Sequence, residues 1–273
     1  MDNQEIDLNS RENGVSLAKE TEVFIREGQA VGAGDATKWI GNAWAMFKAQ
    51  PLQWILMLIV YIAIISVISF IPFISLFSGL FSSVFVAGYI TAAHQQRITG
   101  NFRIELLFYG FKNKLGSLVA VGALNIGIIT LGVIAALIIA GFGALDFFVA
   151  SQSGNPDPVL MLANLPSFMW AIIILSIFSM VASAFVWFAP ALIIINDMKF
   201  GEAISMSLSA VKKNLFGGFL FFFMMGVLMF ISMIPIFLGL LVTIPMMMIS
   251  YYTTYRSIFY ASKEVSNKEK MIV

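Results

Sequence analysis

Long charge-free apolar blocks alternate with polar connectors along the chain, and the block lengths predict its elements. The first block runs from Leu52 to Ala93, the second from Leu115 to Leu145, the third from Phe168 to Ile195, and the last from Leu215 to Tyr255. A bilayer crossing takes ~20 residues, so the first and last blocks each hold two helices and the middle two hold one each. Six spans follow, over about 52–71, 74–93, 115–142, 168–195, 215–234 and 236–256. "ISFIPF" at 68–73 and "ISMIPI" at 231–236 place Pro72 and Pro235 near the middle of the two double blocks. There proline ends one helix and starts the next, so each motif reads as an outer turn.

A second pattern precedes spans one, three and five. Ile40, Trp44, Phe47 and Pro51 stand at helical spacing, as do Ile104, Phe108, Phe111 and Leu115, and again Ile204, Leu208, Val211 and Leu215. A lysine follows the third apolar position in every copy: Lys48, Lys112 and Lys212. The 3.6-residue period predicts three amphipathic surface helices, with Thr37, Asn101 and Asp197 as candidate first-turn caps. Their stripes, Trp39 and Trp44 included, would lie in the headgroup region or against the bundle, with the lysines turned to water and anionic lipid. The predicted fold is therefore all-α. It is a polytopic transmembrane bundle of six spans, built from three parallel repeats of one surface helix plus two membrane helices. The repeats are parallel because each contains an even number of spans.

Composition agrees with membrane residence. Apolar residues make up 59% and charged residues 11%, with mean hydropathy +0.90, whereas soluble domains carry about 25% charged residues. There is no cysteine, which excludes disulfides and thiolate metal sites. The basic residues fall in one set of connectors: Arg11 to Lys48, Arg97 to Lys114, Lys199 to Lys213, and Arg256 to Lys270. The other connectors carry only Asp146 and Asp157. The positive-inside rule then puts both termini in the cytoplasm. Residues 1–36 read as a polar, largely disordered tail without a signal peptide, 37–260 as the membrane domain, and 261–273 as a second tail. Within the first tail, "EVFIREGQAVGAG" has the composition of a short strand before a glycine hinge, a pairing the sequence leaves open.

Two stretches, "KWIGNAWAMFKAQPLQW" and "APALIIINDMKFGEAISMSLSAVKKN", carry a family likeness. With Trp44, Phe47 and Pro51 in the first and Asp197, Glu202, Ala203 and Ser207 in the second, the chain resembles an uncharacterised family of prokaryotic six-span integral inner-membrane proteins. Similar membrane domains occur fused to glycerophosphodiester phosphodiesterases. The resemblance runs from about residue 36 onward and implies the fold and a bacterial inner-membrane location. It brings no activity, and no phosphodiesterase domain accompanies it here.

Chemistry within the spans is sparse. No charged residue or histidine falls in the interior of a predicted span, Arg256 standing at the inner end of the last; His94 also stands at an inner end, without acidic neighbours. Asn125 is the most polar deep residue, and beside Gly122, Gly127, Gly132, Gly141 and Gly143 it reads as an interhelical hydrogen bonder. No phosphate loop, dinucleotide fingerprint or nucleophile–base pair is present, which argues against an enzyme, and no cofactor is expected. The expected role is non-enzymatic: structural, assembly or envelope maintenance, with membrane lipids, anionic ones among them, as partners and no nucleic acid. The alternative is a transporter or lipid-handling protein for an apolar or amphipathic substrate. Its path would be lined by Tyr89, Asn125, Tyr251, Tyr252, Tyr255 and Arg256.

Overall fold

A computed structural model describes residues 22–71, 78–152 and 158–262. Residues 1–21, Pro72, Asp157, Lys263, Lys268 and Lys270 lie outside the described residues. Among the described residues the fold is an all-α bundle with one small strand pair. In chain order come β1 (Glu22–Phe24), α1 (Asp35–Ala49), α2 (Pro51–Ser69) and, after a 3-10 turn, α3 (Ser82–Thr99). A second 3-10 turn (Ile104–Phe108) leads into the one-turn α4 (Tyr109–Lys112) and the long α5 (Leu115–Gln152). Then follow α6 (Pro158–Val186), α7 (Ala189–Ile195), α8 (Phe200–Lys213), α9 (Leu215–Met233), α10 (Leu240–Phe259) and β2 (Tyr260–Ser262).

Four stretches are long and apolar enough to cross a membrane: Pro51–Ser69, Leu115–Gly141, Leu165–Ile195 and Leu215–Met233. They mark a multi-pass membrane protein. Only 17%, 11%, 17% and 28% of their apolar windows are buried inside the protein, as suits helices whose remaining surface faces lipid. The other two expected spans, 74–93 and 236–256, map onto α3 and α10, which are not among the four. α3 and α10 carry His94, Gln96, Arg97, Thr253 and Arg256 in their last turns and bury most of their surface against other helices. Together α3, α7 and α10 form the inside of the bundle, each touching the other two.

The three amphipathic segments sit around this centre. α1 packs on α10 and α9, the 3-10 turn before α4 packs on α3, and α8 packs on α6 and α7. Two are helices; the middle one is a 3-10 turn plus one helical turn. Their buried face is rotated from the expected stripe: Ala36, Trp39, Ala43 and Phe47 in α1, and Ala203, Ile204, Met206, Ser207 and Ala210 in α8. Small side chains let a helix seat closely, and alanine or serine alternates in both buried faces with the larger Trp39, Phe47, Ile204 and Met206. Trp39 is accordingly not a lipid-interface residue. It is fully buried, with its ring in edge-to-face contact with Trp187 at 6.4 Å and with Phe221 at 5.8 Å. Trp44, at 42% exposure, stays on the surface with Lys48, Lys112 and Lys212.

Local signals failed in identifiable ways. None of the three segments has a side-chain cap at its start. Thr37 lies inside α1 and its hydroxyl donates to the Gly34 carbonyl at 2.7 Å. Asn101 accepts from the Phe102 N–H at 2.7 Å, and Asp197 (φ 58°) pairs instead with Lys114 Nζ at 2.5 Å. The connector expected between the spans 115–142 and 168–195 is entered by helix from both sides, α5 running to Gln152 and α6 starting at Pro158. α5 breaks at Gly141 (φ 54°, ψ −143°), a backbone shape that side-chain-bearing residues resist. The expected span 168–195 breaks before Ala189, and Pro190 sits in the first turn of α7. Pro235 does fall in the turn Ile234–Gly239 between α9 and α10.

The terminal segments are more ordered than their composition predicts. β1 pairs antiparallel with β2, with Glu22 opposite Ser262, Val23 opposite Ala261 and Phe24 opposite Tyr260. The Ile25 N–H continues the contact to the Phe259 carbonyl at 2.8 Å. The expected tails at 1–36 and 261–273 therefore contribute residues 22–36 and 261–262 to the fold.

Candidate functional site

The strand pair carries one acidic side chain into the basic end of the bundle. α3 presents Arg97 one turn beyond His94, and α10 presents Arg256 one turn beyond Tyr252, so both arginines face the centre. Between them lies the Glu22 carboxylate. Arg97 Nη2 donates to both of its oxygens, at 2.8 and 3.0 Å, and Arg256 Nη2 donates to Oε2. The Arg256 guanidinium also stands over the Tyr260 ring, 3.7 Å from its centroid, and its side chain is only 13% exposed. Desolvation would raise the Glu22 pKa, but the two arginines outweigh it and hold the carboxyl below its ordinary value of 4.5.

Polar contacts run outward from this pair of ion pairs. The Tyr252 hydroxyl and His94 Nδ1 are 3.1 Å apart, and the Tyr255 hydroxyl donates to Asn196 Oδ1 at 2.5 Å. Three elements, α3, α10 and the end of α7, are thus joined by polar groups at one end. Beside the ion pairs opens a cleft of ≈ 680 Å³ whose walls include Lys38, Trp39, Arg97, Tyr252 and Arg256. The Trp39 indole N–H is buried without a hydrogen-bond partner among the described residues.

The expected path residues do not gather in one place. Tyr252 and Arg256 line the cleft; Tyr89, Asn125, Tyr251 and Tyr255 do not. Tyr89 is fully buried, stacked on Trp54 with its hydroxyl toward the Met57 carbonyl at 3.4 Å. Asn125 is half-buried on α5 and Tyr251 half-buried on α10. Sequence reasoning missed Glu22, Arg97 and Lys38. A usable signal was there: Arg97 and Arg256 are the first cations after their apolar blocks, and Glu22 opens a strand-like triplet. Among the described residues, no group of three or more His, Asp or Glu side chains could hold a metal ion.

Comparison with known proteins identifies no relative: no family model matches, and no curated protein or solved structure shows a significant match.

The depressed Glu22 pKa makes the clamp acid-sensitive. A carboxylate with a lowered folded-state pKa contributes stability that is complete above its unfolded value and lost as pH falls through the folded one. Acidification below about 4 is therefore expected to release β1 first. Hydrogen exchange at the Ile25 amide, which is bonded to the Phe259 carbonyl, checks this; protection unchanged between pH 6 and the acid range would contradict it.

Proposed function

We propose that the chain is a non-enzymatic polytopic protein of a bacterial inner membrane with a structural, assembly or envelope-maintenance role. In this reading it has six spans in three parallel repeats, both termini are cytoplasmic, and it belongs with the six-span family it resembles. α3 and α10 complete the span count. They need less apolar surface because other helices wrap them. The repeat is supported by register: the helices after the three segments begin at Pro51, Leu115 and Leu215, the same offset each time. At the matching position inside the segments, Ala43, Leu107 and Ser207 are all fully buried. The orientation rests on the basic connectors.

The observation that carries the role is where four of the buried polar side chains go: Gln96, Ser207, Asn214 and Thr253 tie elements together. Thr253 donates to the Trp39 carbonyl at 3.1 Å, joining α10 to α1. Gln96 donates to the Met46 carbonyl at 2.8 Å and accepts from the Trp54 indole at 3.1 Å, joining α3 to α1 and α2. Ser207 donates to the Ala184 carbonyl at 3.0 Å and accepts from the Phe188 N–H at 3.2 Å, joining α8 to the α6–α7 break. Bonds of this kind fix helix packing where apolar burial cannot, since lipid is as apolar as the helix faces.

A second reading, lipid or amphipath handling, is favoured by the arginine-lined cleft. One experiment separates the two. On the scaffold reading, deleting the gene makes the host envelope leak an apolar dye, and proteoliposomes of the purified chain show no saturable solute flux. Saturable flux of an amphipathic solute, with a deletion strain whose envelope stays tight, would overturn it.

A further inference from the structure

The Glu22 contact has the chemistry of a ligand contact. Two guanidiniums converge on one carboxylate, and the same array of charge-assisted N–H donors is what a phosphate takes. Arg256 is preorganised for this by its seat on Tyr260, which reduces the ordering cost of binding. The acid, by contrast, arrives on a strand of only three residues, Glu22–Phe24. Its position is therefore easily vacated while the arginines remain on long helices.

Three further features specify the ligand. The cleft walls carry three cations, Lys38, Arg97 and Arg256, against the anion Glu22; counting Asp35, which pairs with Lys38 at 2.7 Å, positive charge is still in excess with Glu22 seated. A volume of ≈ 680 Å³ is in the range of small-molecule sites and far larger than a bare phosphate needs. Finally, Ala45, Met46 and Ala49 of α1 form an apolar wall, on the helix that also exposes Trp44 and Lys48. An anionic group with apolar chains attached fits these surroundings, as basic pockets on the cytoplasmic side of helical membrane proteins fit lipid headgroups.

We propose that Arg97 and Arg256 form a site for the phosphate of an anionic phospholipid headgroup, and that Glu22 of β1 occupies this site as a built-in competitor. Lys38 supplies a third cation. Binding expels the Glu22 carboxylate, so the headgroup and the β1–β2 pair compete for the same two arginines. This inference rests on membrane placement alone and not on the scaffold role.

The test uses the full chain purified in detergent and offered phosphatidylglycerol or phosphatidylcholine, with retained lipid read by native mass spectrometry. E22Q is expected to raise phosphatidylglycerol retention roughly tenfold by removing the competing charge. R97Q/R256Q is expected to reduce it to the phosphatidylcholine level. A folding defect would lower retention in E22Q, so a gain there cannot come from misfolding. Unchanged retention in E22Q, or wild-type retention in R97Q/R256Q, overturns the site. Displacement of the lipid by inorganic phosphate at equal concentration overturns the lipid assignment in favour of a soluble phosphate. None of these outcomes depends on the envelope phenotype that tests the scaffold role.

Discussion

Replacing Gly88 with alanine is expected to destabilise the protein by about 3 kcal/mol, the upper range for overpacking a tight contact. A Cβ at this position would lie 2.3 Å from the Leu107 carbonyl oxygen, 2.7 Å from its carbon and 2.8 Å from the Leu106 oxygen. All three are backbone atoms, so no rotamer change relieves the clash. The 3-10 turn that carries them cannot easily withdraw. Leu107 is fully buried, and just before the turn Phe102 packs on Trp54 with ring centroids 4.3 Å apart. Moving the turn by an ångström would open that contact and the one below it. Gly127 supplies the control, because an added Cβ there meets nothing within 4 Å. G127A should hold or raise stability by about 0.5–1 kcal/mol, the helix-propensity gain of alanine over glycine. The measurement is the thermal unfolding midpoint of both variants in the same detergent. If G88A melts with the wild type while G127A does too, the close approach of α3 to the turn is wrong.

The same contrast shows what the sequence could and could not convey. Apolar block length located the four lipid-facing helices, and Pro235 located a turn, because both signals are local. Glycines such as those of the second block permit close packing, yet only some deliver it. A Cβ at Gly122 would meet the Leu80 carbonyl oxygen at 2.2 Å and one at Gly132 would meet Phe178 Cβ at 2.6 Å, whereas Gly127 faces open space. Composition cannot tell these apart, since the neighbour comes from another element. The amphipathic segments were legible as segments, but the buried face was misplaced by about one residue. Hydrophobic spacing puts Trp44 in the apolar stripe with Phe47; in the fold Ala43 takes the buried position and the larger Trp44 ring faces outward. The arginine site was the least legible part. Arg97 served only as a marker of topology and Arg256 as one of six path candidates, and their meeting over Glu22 depends on the fold bringing residues 22, 97 and 256 together. No local pattern records a contact across that separation.

Asn214 concentrates contacts of this long-range kind, and its loss is the second large effect expected. The residue is buried at the joint between α8 and α9. Its Oδ1 accepts from the Val31 N–H at 2.8 Å, while its Nδ2 donates to the carbonyls of Gln29 and Ala210, each at 2.9 Å. The stretch between β1 and α1 has no helix or sheet of its own to satisfy these groups, so one side chain replaces a length of secondary structure. N214A would leave the Val31 N–H and the Gln29 carbonyl unpaired, at about 1–3 kcal/mol each. Protection of the Val31 amide against hydrogen exchange should fall by roughly thirtyfold or more, since every 1.4 kcal/mol is a factor of ten. Lys213, whose Nζ donates to the Gly28 carbonyl at 3.1 Å, limits the loss to local release without unfolding the bundle. Unchanged protection at Val31 would show that this stretch is held by something other than Asn214. The variant also reaches the arginine site indirectly. Residues 29–31 anchor the segment that delivers Glu22, so freeing them weakens the competitor while leaving Arg97, Arg256 and the cleft chemistry intact. N214A should therefore raise anionic-lipid retention in the same direction as E22Q, and by less, because the carboxylate remains present and only its tether is loosened.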